Sequence, residues 1–282
     1  MSSSSSPLRI AALACAFVFA CTPALAGTHA PAAAPATAPS ATRFAQRFVA
    51  YGHRGAFVLQ RDGQTPQALH DDAWSTRPLR PASTFKIMVS LIALETGVLK
   101  DEHEIVRWDG TRYPDNPDWQ RDMTLREAMR SSSEPFFLAL AKRIGHDRLA
   151  DWVERAHYGN GRIGPDPARA WHDGVLTITA LQQVDFVDRL RRESVPFSRR
   201  VIALTKAAML DSERNGQRVY GKTGTYFPDD GSGHAWWVGW TEGGHAPAAS
   251  FALCIELKTM DTRERRIVLG KQLLRDAGVL AP

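Results

Sequence analysis

A run of apolar residues between Thr84 and Glu95 constrains the fold of this chain most. Seven of its twelve positions carry large apolar side chains, and these do not keep to one helical face. A helix that is apolar all round is surrounded by protein on every side. Gly97 follows the run and is a suitable helix stop. The sequence therefore predicts a central, buried helix over residues 84–95.

Ser83 stands directly before this run, and Lys86 lies three positions after Ser83. Residues three apart share a helix face, so the Lys86 amine is expected close to the Ser83 hydroxyl. A serine hydroxyl is a weak nucleophile until a base removes its proton. The pair is therefore a candidate nucleophile and base. A Ser-x-x-Lys spacing is expected about once by chance in a chain of this length. Other signals in the sequence must therefore decide whether this pair is catalytic.

The segments around this helix predict an α+β fold. A hairpin comes first, then a helical middle, then consecutive strands, an order that implies an antiparallel sheet. We predict an antiparallel sheet flanked by helices, plus a helical subdomain, within one catalytic domain over residues 43–282. The predicted strands cover residues 54–59, 65–69, 218–222, 235–241 and 248–257, and the predicted helices cover 84–95, 125–144, 148–156, 181–192 and 263–276.

The first 26 residues have the pattern of a secretory signal peptide. Arg9 precedes a short apolar run, and Ala24-Leu25-Ala26 supplies a cleavage site. The run is too short for a transmembrane helix, so we predict export to the periplasm and no membrane span. Residues 27–42, rich in Ala, Pro and Thr, are predicted to form a flexible tether. Lipid attachment through Cys21 is an alternative.

Composition excludes several function classes. The formal net charge is +5, and basic residues are scattered beside acidic ones without a basic stripe, so no nucleic-acid partner is predicted. The nine histidines show no paired ligand spacing, so no metal site is predicted. Cys254 alone remains after the leader, which rules out an internal disulfide. Its apolar neighbours predict a buried strand position.

Two further signals accompany the Ser-x-x-Lys spacing. The segment Ser131-Ser132-Ser133-Glu134-Pro135 interrupts a helical pattern, and serines inside helices compete with backbone hydrogen bonds. Lys222-Thr223-Gly224 ends a strand pattern 139 residues after Ser83. It would supply a fixed cation, a short hydroxyl and a strand position that a substrate backbone approaches closely. Taken singly, the first could be a polar loop and the second a lysine at a sheet edge.

Together these motifs resemble those of the penicillin-recognising serine enzymes, and among them the class D, or oxacillinase-type, β-lactamases. Residues 83–86 resemble the nucleophile motif of that family, and residues 222–224 its third motif. Tyr158-Gly159-Asn160, Trp171 and residues 236–240 are similar to further class D signatures. The resemblance spans residues 45–280 and implies a small-molecule β-lactam substrate.

The resemblance implies a role for each motif residue. Ser83 would attack the lactam carbonyl and form an acyl-enzyme, with the N–H groups of Ser83 and Thr225 as an oxyanion hole. Ser132 would relay a proton to the leaving nitrogen, with Lys222 close to its hydroxyl.

The substrate carboxylate would be bound next to this machinery. Thr223 and Gly224 would lie beside it, and an arginine of the last helix would pair with it. Arg266 is favoured by position, with Arg263 and Arg265 as alternatives.

Lys86 needs a way to act as a base at neutral pH. A free lysine has a pKa of about 10.4, and burial among apolar neighbours would favour the neutral amine. In class D enzymes this amine reacts with carbon dioxide, and the resulting carbamate is the base for acylation and deacylation. The resemblance thus implies a Lys86 carbamate that accepts a hydrogen bond from the indole of Trp171. No other cofactor is predicted.

The chain departs from the class D pattern at Glu134 and His172. The relatives usually carry valine and leucine at these positions, as an apolar cover over the modified lysine. We hypothesise that Glu134 and His172 form a hydrogen-bonded gate above Lys86. The carboxylate would then disfavour a carbamate, or would itself position the hydrolytic water. A shifted register with Glu134 in solvent is the alternative.

Two other functions stay open at this point. A β-lactam sensor would share the motifs and keep the acyl group, although such sensors need a membrane connection. A low-molecular-weight peptidoglycan peptidase would apply the same chemistry to another acyl donor, but Tyr158 and Trp171 favour class D. Both a monomer and a homodimer are compatible with the sequence.

Overall fold

The computed structural model describes residues 41–282, in which a run of helices separates an N-terminal hairpin from four consecutive strands. The helices are α1 (Ala41–Tyr51), α2 (Asp72–Ser75), α3 (Lys86–Glu95), α4 (Leu125–Ser131), α5 (Glu134–Ile144), α6 (His146–Arg155), α7 (Ala180–Arg191), α8 (Arg199–Ala208) and α9 (Arg265–Asp276). The strands are β1 (Gly55–Arg61), β2 (Gln67–His70), β3 (Leu210–Arg214), β4 (Gln217–Tyr226), β5 (Gly233–Gly243) and β6 (Ala249–Leu257). The predicted leader and nearly all of the predicted tether lie outside the described residues.

The six strands form one antiparallel sheet in the order β2-β1-β6-β5-β4-β3. Strands β3 to β6 are joined as consecutive hairpins, and the N-terminal hairpin adds to their far edge through β1. The predicted α+β fold is confirmed. The chain thus brings its N-terminal and C-terminal segments into the same sheet.

Both faces of the sheet are covered by helices. Trp236 and Trp240 of β5 belong to the larger core, which α3 to α8 build on one face. Trp237 points to the other face and packs with Phe251 against residues of α1 and α9. Two covered faces explain why β5 and β6 are almost continuously apolar instead of alternating.

Helix α3 is the buried centre of the larger core. Nine of its residues, from Lys86 to Leu94, are buried, and the helix contacts α5, α6 and α8. The predicted central helix is confirmed. Its first turn differs from the prediction, because Ala82–Phe85 forms a 3-10 turn that continues into α3. Ser83 lies in that turn, at the N-terminal mouth of the buried helix.

The predicted helix over residues 125–144 is two helices. Helix α4 ends at Ser131 and α5 begins at Glu134, because Ser132 adopts a left-handed backbone with a φ of 54°. The interruption predicted from the serine run is confirmed. Cys254 is buried in β6, as predicted. Helices α1, α2 and α8 and strand β3 were not predicted.

Within residues 41–282, no helix has the length and apolar character needed to cross a membrane.

Replacing Leu91 with alanine tests the central position of α3. Leu91 is completely buried, so the cavity should lower the free energy of unfolding by about 2–5 kcal/mol. Val49→Ala in α1 is the control, because Val49 is 80% exposed and its loss should change stability by less than about 0.5 kcal/mol. Urea unfolding monitored by tryptophan fluorescence measures both. Equal effects would contradict a buried α3.

Candidate active site

The backbone around Ser83 is fixed by contacts from outside the turn. Ala82 has a left-handed φ of 47°, an uncommon conformation for a residue other than glycine. The Thr84 hydroxyl donates to the Pro81 carbonyl at 2.7 Å, and Gln183 of α7 donates to the Thr84 hydroxyl at 2.8 Å. The turn is therefore held in one conformation, with the partly exposed Ser83 facing a cleft.

Strand β4 passes directly beside this turn at Gly224. A Cβ atom at Gly224 would lie 2.9 Å from the Pro81 carbonyl oxygen and 3.1 Å from the Thr84 nitrogen. Only glycine allows this approach. Gly224 thus makes room for the turn that carries Ser83, and because it also lines the cleft its place beside the substrate stays a prediction. Residues 222–224 also lie inside β4 instead of at its end.

Lys222 and Ser132 meet across the cleft. Lys222 Nζ donates to Ser132 Oγ at 2.9 Å and to the carbonyl of Thr223 at 2.9 Å. Burial, with Lys86 and Arg266 nearby, lowers the pKa of Lys222 well below its ordinary value. The left-handed backbone of Ser132 aims its hydroxyl at Lys222, so the second and third motifs form one hydrogen-bonded unit.

Lys86 is fully buried and has strong partners. Its Nζ lies 2.6 Å from Glu134 Oε2, 2.8 Å from the Ser132 carbonyl and 3.5 Å from Ser132 Oγ. In the described part of the chain, none of the Lys86 Nζ hydrogen bonds goes to Ser83. Burial lowers the pKa of the Lys86 amine, and the Glu134 carboxylate opposes that effect. The amine is therefore held beside the nucleophile by an ion pair.

Glu134 lies at the first position of α5 and accepts hydrogen bonds through both of its oxygens. Oε2 accepts from Lys86, while Oε1 accepts from Trp171 Nε1 at 3.0 Å and lies 3.0 Å from His172 Nε2. Burial opposes the charge of Glu134, but Lys86 and His172 outweigh it and lower the pKa of this carboxyl group. The predicted contact between Glu134 and His172 is present, and the shifted register is wrong.

The side chains around Lys86 do not fit a carbamate. The 2.6 Å contact with Glu134 leaves no room for a carboxyl group in that direction on Lys86 Nζ. The Trp171 indole, which the resemblance assigns to the carbamate, donates to Glu134 instead. A carbamate would also place a second negative charge beside a buried carboxylate. Carbamylation of Lys86 thus stays a prediction that this arrangement disfavours.

Tyr158 lies beneath the nucleophile's turn and outside the cleft lining. Its ring is buried against Phe85 and Phe186, with ring centroids 5.5 and 4.8 Å away. Burial raises the pKa of its hydroxyl. The neighbouring Asn160 donates to the Val175 carbonyl at 2.8 Å. The motif thus anchors the loop that carries Trp171 and His172, and it supports the site without lining the cleft.

Arg266 is the arginine of α9 that best fits a carboxylate in the cleft. Its side chain is buried at the cleft wall, Nη1 donates to the Arg263 carbonyl at 2.5 Å, and Nε has no partner among the described residues. Burial lowers its pKa to about 10, so it stays charged at neutral pH. Arg263 also lines the cleft, whereas Arg265 donates to the Tyr51 carbonyl.

One cleft of about 1010 Å³ connects most of these groups. Its lining includes predicted site residues from the nucleophile, second and third motifs, from the His172 loop and from α9: Ser83, Ser132, Glu134, His172, Thr223, Gly224, Thr225 and Arg266. Sequence reasoning missed its aromatic wall, which contains Trp119, Tyr226 and Phe227. Trp119 donates to the Ser131 carbonyl at 2.9 Å. An isolated tryptophan in a loop gives no spacing signal, so only the fold could reveal it.

The family model for the penicillin binding protein transpeptidase domain matches residues 56–273. Beta-lactamase OXA-10 of Pseudomonas aeruginosa is 35% identical over 199 residues, which cover 70% of this chain and 74% of that protein. The chain belongs to the class D β-lactamases. The structure of the class D β-lactamase YbXI from Nostoc matches with a TM-score of 0.79 and 33% identity, covering 84% of this chain and 99% of that one.

A receptor domain shares this class D fold. The C-terminal domain of the Bacillus licheniformis BlaR penicillin receptor matches with a TM-score of 0.79 and 29% identity, covering 84% of this chain and 96% of that domain. The overall fold is therefore common to β-lactamases and a receptor.

A double-mutant cycle on Lys86 and Glu134 tests the buried ion pair. Lys86→Met leaves a largely buried carboxylate without its cation and should cost about 3–5 kcal/mol of unfolding free energy. Adding Glu134→Gln should recover part of that loss, because the amide needs no counter-charge. Urea unfolding of the four proteins gives the coupling. If the two changes had additive effects on the free energy of unfolding, the Lys86–Glu134 ion pair would be contradicted.

Proposed function

We propose that this protein hydrolyses the ring amide of penicillin-type β-lactams through an acyl-enzyme on Ser83. The observation that carries the proposal is the convergence of Lys86 and Lys222 on Ser132, next to the Ser83 turn. The proposed nucleophile and proton relay then line one cleft, with the buried amine behind them. Membership of the class D family supports the same conclusion.

In the acylation step, the neutral form of Lys86, in which the amine hydrogen-bonds to Glu134 without a charge, takes the Ser83 proton while Ser83 Oγ bonds to the lactam carbonyl carbon. The lowered pKa of buried Lys86 favours this role. The N–H groups of Ser83 and Thr225 stabilise the oxyanion, an effect worth roughly 3–4 kcal/mol per donor. Close packing of β4 against the turn at Gly224 supports this pairing of donors.

Ring opening follows when the carbon–nitrogen bond breaks and the nitrogen takes a proton from Ser132. The Ser132 hydroxyl lies 3.5 Å from Lys86 Nζ and 2.9 Å from Lys222 Nζ. The proton that Lys86 removed from Ser83 can thus return through Ser132 to the leaving nitrogen. Lys86 ends the step neutral, and the acyl group is left on Ser83.

The substrate carboxylate binds between β4 and α9 in this proposal. Thr223 supplies a hydroxyl, and Arg266 supplies a guanidinium at the cleft wall. Burial of Arg266 strengthens a charge-assisted hydrogen bond to the substrate. Of Arg263, Arg265 and Arg266, it is Arg266 that is both buried and part of the cleft lining.

A β-lactam receptor is the second candidate, and the similarity to the BlaR domain favours it. Receptor and enzyme would share the acylation step and differ in whether water releases the acyl group. A peptidase of the penicillin-binding type would act on a peptide donor instead. Release of the acyl group from Ser83 therefore separates the β-lactamase from the receptor, and the acyl donor separates it from the peptidase.

We also propose that residues 1–26 direct export to the periplasm. This rests on the charge, the apolar run and the cleavage pattern of the sequence alone. Both a monomer and a homodimer remain compatible with the described residues.

Turnover of a chromogenic cephalosporin by the purified protein tests the proposed function. We expect steady hydrolysis, a transient Ser83 adduct in the intact mass, and loss of both in Ser83→Ala. A stable adduct without turnover would favour the receptor. A protein that forms no adduct would contradict the proposal.

Replacing Arg266 with alanine should weaken β-lactam use selectively. Loss of a charge-assisted hydrogen bond costs about 1.5–3 kcal/mol, which corresponds to a roughly 10- to 100-fold fall in kcat/KM. Arg265→Ala is the matched control, because Arg265 donates to the Tyr51 carbonyl, and it should leave kcat/KM unchanged. Steady-state kinetics with a thermal melt of each variant measures this. Equal losses in both variants would argue against Arg266.

A further inference from the structure

The carboxylate of Glu134 lies where the class D resemblance places the carbamate of the active-site lysine. It contacts Lys86 Nζ at 2.6 Å and accepts the Trp171 indole hydrogen at 3.0 Å. These are the lysine and the donor that the resemblance associates with the carbamate. The chain therefore supplies, from its own sequence, a carboxylate attached to α5 instead of to the lysine.

Glu134 keeps access to the cleft, although Lys86 does not. The Glu134 side chain is 18% exposed, whereas that of Lys86 is 0% exposed. Glu134 also lines the cleft together with Ser83 and Ser132. A molecule of water in the cleft therefore reaches Glu134 without moving the ion pair.

The hydrogen bonds of Glu134 leave one acceptor site free. A carboxylate oxygen accepts about two hydrogen bonds. Oε1 has Trp171 and His172 as partners, while Oε2 has Lys86 alone among the described residues. The remaining acceptor site on Oε2 suits a water molecule beside the acylated serine.

A purely structural role explains this arrangement poorly. Replacing a buried ion pair by well-packed apolar residues is often neutral or stabilising, so stability alone does not require a carboxylate at Glu134. His172 adds a further polar contact to Oε1 of Glu134. Two polar side chains that contact each other next to Lys86 indicate a chemical use of the carboxylate.

We infer that Glu134, and not a Lys86 carbamate, is the general base that activates water for release of the acyl group from Ser83. The inference rests on the proposed function and assigns its deacylation step. Lys86 stays an unmodified amine throughout the cycle. His172 and Trp171 act as positioning residues, because they hold the carboxylate through Oε1.

The step balances without any external reactant besides water. Glu134 accepts one proton from water as the water oxygen bonds to the ester carbonyl carbon. The tetrahedral intermediate then collapses, and its bond to Ser83 Oγ breaks. Lys86 takes the proton held by Glu134 and passes a proton to Ser83 Oγ as that bond breaks. The products are free Ser83, the carboxylate of Glu134 and the ring-opened acid.

The experiment compares the wild-type protein with the variants Glu134→Gln and Asp115→Asn. Each is the whole chain without its predicted leader, residues 27–282. Asp115 is the matched control, because it is an exposed carboxylate of the same cleft. Each protein is mixed with a penicillin, and the Ser83 adduct is followed by intact mass. Turnover is measured with and without added bicarbonate, and carbon-13 NMR after labelled bicarbonate reports any lysine carbamate.

We expect wild-type turnover to be independent of bicarbonate, with no carbamate signal. Glu134→Gln should still acylate on Ser83, but its adduct should last at least 100-fold longer than that of the wild type. Asp115→Asn should release the adduct at the wild-type rate. The measurements on the wild type do not depend on the variants folding, and thermal melts check the variants.

A carbamate signal, or wild-type turnover that requires bicarbonate, would overturn the inference. An unchanged adduct lifetime in Glu134→Gln would overturn it as well, since hydrolysis would then use another base. These results would leave the proposed β-lactamase function intact. A wild-type protein that forms no Ser83 adduct, or that never releases it, would instead overturn the proposed function and the inference together.

Discussion

Burial of the Lys86 amine is the constraint on which the site depends. Its nitrogen has no exposed surface, and an isolated buried charge is very costly. Lys86 therefore needs partners from other elements, and it finds them in the break between α4 and α5 and in Glu134. Trp171 and His172 in turn hold Glu134. The Lys86 amine thus connects helix α3, the break between α4 and α5, and the loop that carries Trp171 and His172.

Much of the fold could be predicted from sequence because its signals are strong and local. The apolar run of α3, the serine interruption and the apolar strands each follow from composition and spacing. Helix α1 was missed because it follows a stretch rich in Ala and Pro that reads as a tether. Strand β3 was missed because its exposed and half-buried residues give no apolar pattern. It forms through its pairing with β4.

The residues of the candidate site were predicted from the sequence, but only some of their contacts were. Sequence motifs indicate which side chains meet, and Ser132 and Lys222 do meet as expected. They do not show which partner a donor chooses, so Trp171 was assigned to a carbamate and donates to Glu134 instead. Gly224 was assigned to the substrate, although the close approach it permits is to the Ser83 turn. Such outcomes depend on distances between elements far apart in sequence.

The left-handed residues Ala82 and Ser132 have a consequence for the evolution of stability. Such backbone costs roughly 1–2 kcal/mol for a residue other than glycine. Ala82 precedes the proposed nucleophile, and Ser132 is itself the proposed proton relay. The surrounding contacts must offset this cost, so the proposed reactive centre lowers the stability of the domain that carries it. Changes that relax either residue would favour a more stable protein with weaker catalysis. Under the proposed mechanism, selection for activity would therefore oppose selection for stability at these two positions.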